Sequence, residues 1–417
     1  MKVLVIGGGG REHAICRKLR QSPHVTELLC APGNGGISEI AECVPIAAAD
    51  IEKIVEFAKS ALVDFVVVAP DDPLALGLVD ELESAGIPAF GPRKNAAIIE
   101  SSKIFSKNLM KKYGIPTADF QSFTEIAPAI DFIRAKGAPI VVKADGLALG
   151  KGVVVAQTEE EAVSAVREMM EDGRFGKAGA SVVIEECLSG TEVTVLAFCD
   201  GKTVVPMVSS KDHKRVFDGD KGPNTGGMGA IAPAPLYTPE LAEICTERIF
   251  KPTIDALNSE GRPFSGVIYF GLMLTAKGPY VIEYNARFGD PEAQAVLELL
   301  DTDLFEIFRA VREGKLADTQ IKWKSGSAAC VVMASGGYPG DYVKGKPISG
   351  LDNVPDGVFV FHAGTKSDNG QYTTNGGRVL GVTATGAMLD DALTLAYAGV
   401  DAINFENAHF RRDIGRT

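Results

Sequence analysis

After Met1 a lysine leads an unbroken apolar block, KVLVI at 2–6, which reads as a buried parallel strand, with Gly7 to Gly10 as a tight turn and Arg11 to Gln21 as a helix. A second strand fits Glu27 to Cys30, a third Asp64 to Ala69, and a helix Pro73 to Ala85. This β–α alternation is that of a doubly wound sheet. It stops near residue 95, where Gly91-Pro92 and the following Ala96 to Lys103 suggest a hinge leading into a new helix. From Thr117 to about Glu192 the pattern changes to short strands (118–121, 139–143, 152–156, 181–186) around helices near 124–136 and 158–172, a small α+β unit. A polar, glycine-rich segment at 209–235 follows, then a helix at 239–260 and adjacent strands at 264–274 and 279–286. The remainder is rich in short strands (327–335, 358–362, 378–384) and closes with a helix near 388–402. Three domains are expected, at 1–100, 101–323 and 324–417, with 117–192 as a mobile subdomain of the second.

The most informative alternation lies in Val281 to Arg287. On an extended strand Glu283, Asn285 and Arg287 line one side, and Ile282, Tyr284, Ala286 and Phe288 the other. A carboxylate and an amide oxygen roughly 7 Å apart along a strand are hard donors. They suit Mg²⁺, which takes few protein ligands and completes its shell with water and phosphate, and so imply a nucleotide.

Composition narrows the partners. The formal net charge is −12, which argues against a general basic surface for nucleic acid and requires anionic ligands to be met by local cations, metal or backbone N–H groups. The seven cysteines contain no C-x-x-C pair, so neither a disulfide framework nor a zinc site is indicated. Met1-Lys2 leads into four apolar residues before Gly7, too few for a signal-peptide core, and no long apolar run appears. A cytoplasmic protein without membrane partners is expected.

Other segments carry candidate chemistry. Gly7 to Gly10 can admit a phosphate to a helix N-terminus or serve turn geometry alone. The dinucleotide fingerprint fails, because Glu12 stands at its third glycine. Asn34-Gly35-Gly36 and Pro70-Asp71-Asp72 fall at the C-terminal ends of strands, where ligands of such sheets bind. Lys143 closes an apolar strand and is followed by a glycine loop through Gly150, Lys151 and Gly152 that can fold over a triphosphate; without Ser or Thr after Lys151 it is not a P-loop. Val182 to Leu188 is a strand ending in Glu185 and Glu186, suited to reading an adenine edge, with Glu192 placed for ribose hydroxyls. The run from Ser210 to Gly229, with Asp212, His213, Lys214 and Arg215, is too dense in special residues for a spacer.

In order, Lys103, Lys143 with its loop, Glu185-Glu186, DHKR at 212–215 and Glu283-x-Asn285-x-RFGDPE resemble the ATP-grasp superfamily. Within it the chain is similar to the phosphoribosylamine–glycine ligase family over essentially its whole length, from GGGGREHA at 7–14 through GPNTGGMGA at 222–230 to FHAGT at 361–365 and TNGGRV at 374–379. The resemblance implies an ATP-grasp fold with an N-terminal doubly wound domain and a small β-rich C-terminal domain. It implies ATP-driven condensation of glycine with 5-phosphoribosylamine through a glycyl phosphate, by a monomer or weak dimer. Under it, Glu283 and Asn285 hold Mg²⁺, or Mn²⁺ in its place, while Lys103 and Lys143 add positive charge and Gly150 and Gly152 cover the phosphates. Glu185, Glu186, the backbone near Leu188 and Glu192 hold adenosine. Arg287 clamps the glycine carboxylate, Asp212 and Lys214 contact substrate, and Gly9, Gly10 and Asn34 receive the ribose phosphate. The family pattern is departed from at Lys211, Asp71, Leu149 and Ala295. Biotin carboxylases share the plan, yet many carry a second metal-binding acid on the preceding strand, where this chain has Tyr269 to Met273.

Overall fold

The computed structural model describes residues 1–147, 152–171 and 179–416. The first sheet is five-stranded and parallel, in the order Glu42–Cys43, Glu27–Pro32, Lys2–Gly7, Phe65–Val68, Ala89–Phe90. Its central strand is apolar on every residue after Lys2 because both faces are covered: Leu4 and Ile6 pack with Ile54, Val66 and Leu78, while Val3 and Val5 pack with Ile15, Leu19 and Val67. The helix expected over 73–85 is two, Asp71–Leu76 and Leu78–Ser84, broken at Gly77 with φ +99°. The expected hinge helix is Lys94–Ser101; Ser102 then turns extended and its hydroxyl accepts from Phe105 N at 3.1 Å, starting a second helix, Lys103–Tyr113.

The 117–192 unit contains a four-stranded sheet ordered Phe120–Phe123, Val182–Glu186, Ile140–Ala144, Val153–Ala156, with helices Ile126–Lys136 and Glu159–Met170 sharing its own core. A second four-stranded sheet runs Val204–Pro206, Thr191–Asp200, Ser265–Thr275, Gly278–Asn285. Thr191–Asp200 was not expected as a strand, yet it pairs residue for residue with Ser265–Leu274.

The glycine-rich segment is structured rather than loose. It holds strands Lys211–Asp212, Arg215–Phe217, Lys221–Asn224 and Gly229–Ala232. The first and last of these join the C-terminal strands Ser327–Ala334, Arg378–Gly386 and Val358–His362 in one five-stranded sheet, covered by helix Leu389–Ala402. The long helix at 239–260 is continuous but passes through a π turn at Thr246–Phe250, just before Pro252, which cannot donate a helical hydrogen bond. Among the described residues no helix is long and apolar enough to cross a membrane.

Candidate active site

The strand Gly278–Asn285 is bulged. Glu283 pairs with Gly271 but Val281 pairs with Leu272, so Ile282 is an extra residue in the ladder. This corrects the simple alternation: Val281 and Tyr284 are buried, while Ile282 lies with Glu283 and Asn285 on a cavity of about 850 Å³. The bulge also frees the carbonyl of Ile282, which accepts from Lys143 Nζ at 2.9 Å. Opposite Glu283 the backbone must be glycine, since a Cβ on Gly271 would lie 2.9 Å from Glu283 Cγ.

Glu283 is held down to about 2 chiefly by Lys214, whose Nζ is 3.3 Å from Oε1, with Lys143 and Lys103 adding to the effect against burial. The amide of Asn285 satisfies its neighbours when Nδ2 donates to Glu100 Oε1 at 3.0 Å and to the Tyr284 carbonyl at 3.2 Å. That assignment turns the oxygen away from Glu100, which leaves it as the atom of the amide able to ligate a cation. Among the described residues no cluster of three or more His, Cys, Asp or Glu could hold a metal. One ionised carboxylate and one oriented amide oxygen fit Mg²⁺, whose shell is filled mostly by water and phosphate.

The lysines converge on the same cavity. Lys103 Nζ donates to the Gly146 carbonyl at 3.0 Å, and Asp145 caps the helix that starts at Lys103 by accepting from Ile104 N at 2.7 Å. Glu185 is buried between Lys143 and Lys107, pairing with both; burial pushes its carboxyl up, but the two lysines outweigh it and hold it ionised. Lys107 was not singled out in the sequence, although it lies one helical turn after Lys103 on the same face. Gly152, Glu186, Leu188 and Glu192 also line the cavity, and Glu192 Oε2 is 3.0 Å from Lys214 Nζ. Gly150 lies outside the described residues.

Two further cavity groups each keep one buried atom without a partner. Arg287 Nη2 pairs with Glu100 Oε1 at 3.0 Å, yet its Nε is buried without a hydrogen bond. Asp212 Oδ1 is likewise buried and unpartnered, and its carboxyl is pushed well above the usual range by burial and by the neighbouring Glu292. Glu100, missed in the sequence, braces both ends of this region: its second oxygen accepts from Ala286 N at 2.7 Å.

Gly9, Gly10 and Asn34 are not among the residues lining the cavity. The N–H of Gly9 donates to Glu12 Oε2 at 2.6 Å, so the anion at this helix N-terminus is the chain's own carboxylate. A Cβ on Gly10 would lie 2.5 Å from Gln294 Nε2. Asn34 donates to the carbonyls of Gly8 at 3.0 Å and His362 at 2.7 Å and accepts from Gly36 N and Ile37 N, which engages its whole amide.

The N-domain pattern of the phosphoribosylglycinamide synthetase family matches residues 1–100, its ATP-grasp (A) domain residues 101–293, and its C domain residues 328–417. The chain belongs to this synthetase family. A phosphoribosylamine–glycine ligase of Caldanaerobacter subterraneus is 48% identical over 99% of both chains, and one of Rhizobium meliloti 50% identical over 100% of this chain and 98% of its own. The crystal structure of the Thermotoga maritima phosphoribosylamine–glycine ligase superposes with a TM-score of 0.86 at 33% identity, covering 99% of this chain and all of that one. The biotin carboxylase domain of a Hydrogenobacter thermophilus 2-oxoglutarate carboxylase reaches 0.77 at 18% identity over 98% of this chain and 91% of its own, which shows the fold alone. The fold is ATP-grasp, and an enzyme of this synthetase family uses ATP.

Of the positions expected to depart from the family pattern, Lys211, on the strand beside Ala230–Ile231, and Asp71, at the start of its helix, face the cavity. Ala295 is fully buried in the helix Glu292–Val296, and Leu149 lies outside the described residues.

Proposed function

We infer that this chain joins glycine to 5-phosphoribosylamine, with ATP converted to ADP and phosphate, and so makes glycinamide ribonucleotide for de novo purine biosynthesis. A glycine carboxylate oxygen attacks the γ-phosphorus and ADP leaves. The amine of 5-phosphoribosylamine then attacks the acyl carbon, phosphate departs and the nitrogen loses a proton. Such chemistry asks for positioning and charge neutralisation and needs no protein nucleophile. The observation that carries the reading is one cavity lined both by Glu283, Asn285, Lys103 and Lys143 and by Arg287 and Asp212, each of which keeps one buried atom without a partner.

Glu283 and Asn285 would hold Mg²⁺, with Mn²⁺ as a substitute, and the ion would neutralise phosphate charge. Lys103 and Lys143 face the phosphates, and Glu186, Leu188 and Glu192 meet adenosine. Glu185 acts indirectly, by fixing Lys143 and Lys107. The carboxylate of glycine supplies the acceptor that Arg287 Nε lacks, and its ammonium the donor that Asp212 Oδ1 lacks. Gly9 and Gly10 frame the ribose-phosphate end by having no side chains, while Asn34 staples the loop behind them. The domains are 1–100, 101–323 and 324–417, with 117–192 closing over the nucleotide in a monomer or weak dimer. A coupled ADP assay with each substrate omitted in turn tests the assignment: release that needs both glycine and the amine supports it, and release independent of glycine overturns it.

A further inference from the structure

Arg411 has a fully buried side chain and is remote in sequence from the motifs that carry the chemistry. Its guanidinium forks onto Asp413, Nε to Oδ1 at 2.7 Å and Nη2 to Oδ2 at 2.8 Å. The remaining nitrogen, Nη1, donates to Asp220 Oδ1 at 2.7 Å and to the carbonyl of Arg215 at 3.1 Å. Asp413 Oδ2 also accepts from Gly219 N at 2.7 Å, and Asp218 Oδ1 accepts from Arg412 N at 2.8 Å. Upstream, a ring nitrogen of His409 is 2.8 Å from the carbonyl of Val216. Downstream, Gly415 N donates to His213 Nε2 at 3.0 Å. That bond makes Nε2 the acceptor, so Nδ1 carries the proton and donates to the Gly229 carbonyl at 3.2 Å. Burial, with Arg411 and Lys211 adding to it, lowers His213 to about 4 and keeps the ring neutral.

The tail at 409–415 thus grips the hairpin of Arg215–Phe217 and Lys221–Asn224, and it holds the two residues that flank Lys214: the ring of His213 and the carbonyl of Arg215. On extended backbone the side chain between two such residues points the opposite way. Lys214 does so, reaching Glu192 at 3.0 Å and Glu283 at 3.3 Å. Its own carbonyl is fixed from the other side by Thr225, through N at 2.8 Å and Oγ1 at 2.9 Å. A lysine has four flexible bonds, so its backbone must be pinned if the ammonium is to stand between two carboxylates.

We propose that Arg411 is a positioning residue of the ligase, which sets the place of Lys214 between Glu192 and Glu283 by locking the His213–Arg215 backbone from behind. The proposal rests on the reading of Glu192 and Glu283 as the nucleotide and metal side of the site. A Mg·ATP dissociation constant, measured by calorimetry alongside KM, tests it in a double-mutant cycle of Arg411→Ala and Lys214→Ala. Arg411→Ala is expected to weaken Mg·ATP about tenfold in the otherwise unchanged enzyme and less than about twofold in the Lys214→Ala background. A merely structural arginine gives the same loss in both backgrounds, and that result overturns the proposal, as does unchanged Mg·ATP affinity in folded Arg411→Ala. If Arg411→Ala does not fold, the cycle is run with Arg411→Lys, which keeps the charge and loses the fork; equal losses in both backgrounds again overturn it. An unchanged affinity in Lys214→Ala alone would instead strike the site reading.

Discussion

Two groups of charged residues line the same cavity in opposite states of satisfaction. On the nucleotide side Glu185 pairs with Lys107 and Lys143, Glu283 and Glu192 pair with Lys214, and Lys103 donates to the Gly146 carbonyl. On the other side Arg287 and Asp212 each keep one buried atom without a partner. The paired side is stable while empty and exchanges internal partners for a polyanion. The unpaired side gains most from a ligand that brings both an acceptor and a donor, and an analogue lacking either leaves a buried group orphaned. That penalty is how a site selects a small zwitterion.

The largest effect is expected where the paired side meets the metal. Glu283→Ala combined with Asn285→Ala removes the whole protein donor set, and kcat/KM should fall by about 10³-fold or more. Turnover within tenfold of the unchanged enzyme would remove the basis for placing the cation on this strand. Arg287→Ala probes the unpaired side next: KM for glycine should rise by about 10²-fold while KM for ATP moves less than about twofold. Equal shifts in both constants would erase the contrast between the two sides.

The contrast also marks what was legible in the sequence. Alternation exposed Glu283 and Asn285, and apolar blocks exposed the first sheet, because strand periodicity and burial are local properties. The bulge at Ile282 left no mark, since it depends on which residue of Ser265–Thr275 faces Glu283. Glu100 and Lys107 were invisible for a related reason: each sits on an ordinary helix and gains meaning only from partners at Ala286, Arg287 and Glu185. Asn34 is the opposite case. Its place at a strand end suggested a ligand contact, and only the fold reveals that its amide also bonds Gly8, Gly36, Ile37 and His362, the last contributed by the C-terminal domain.

A smaller effect separates Asp212 from the paired carboxylates by its response to pH. Burial and Glu292 raise its pKa, with Glu192 acting in the same direction and Lys214 and Arg378 opposing. A raised folded pKa means that the protonated form is favoured on folding. Its stabilising contribution is therefore full below the unfolded value and is lost as pH rises through the folded one. Asp212→Asn cannot ionise, so its Tm relative to the unchanged enzyme should climb as pH rises above the unfolded carboxylate value of about 4, while glycine binding weakens. Glycine should also expel a proton from the unchanged enzyme, because its ammonium favours the carboxylate; calorimetry in two buffers of different ionisation enthalpy reads that proton directly. A flat Tm difference together with no buffer dependence would mean that Asp212 is already ionised in the free enzyme.

The smallest effect on turnover is expected at Asn34, where the site and the scaffold part company. Asn34→Ala removes two donors and an oxygen that accepts twice, leaving the carbonyls of Gly8 and His362 and the N–H groups of Gly36 and Ile37 to find water. Because the residue is only half-buried, water can take some of these places, and a loss of about 2 kcal/mol in stability is expected. KM for 5-phosphoribosylamine should stay within about twofold, since a staple acts through the fold and not through the ligand. If instead KM for the amine rises tenfold with Tm unchanged, Asn34 belongs to the ribose-phosphate contacts after all, and its four internal hydrogen bonds are ones that the substrate displaces.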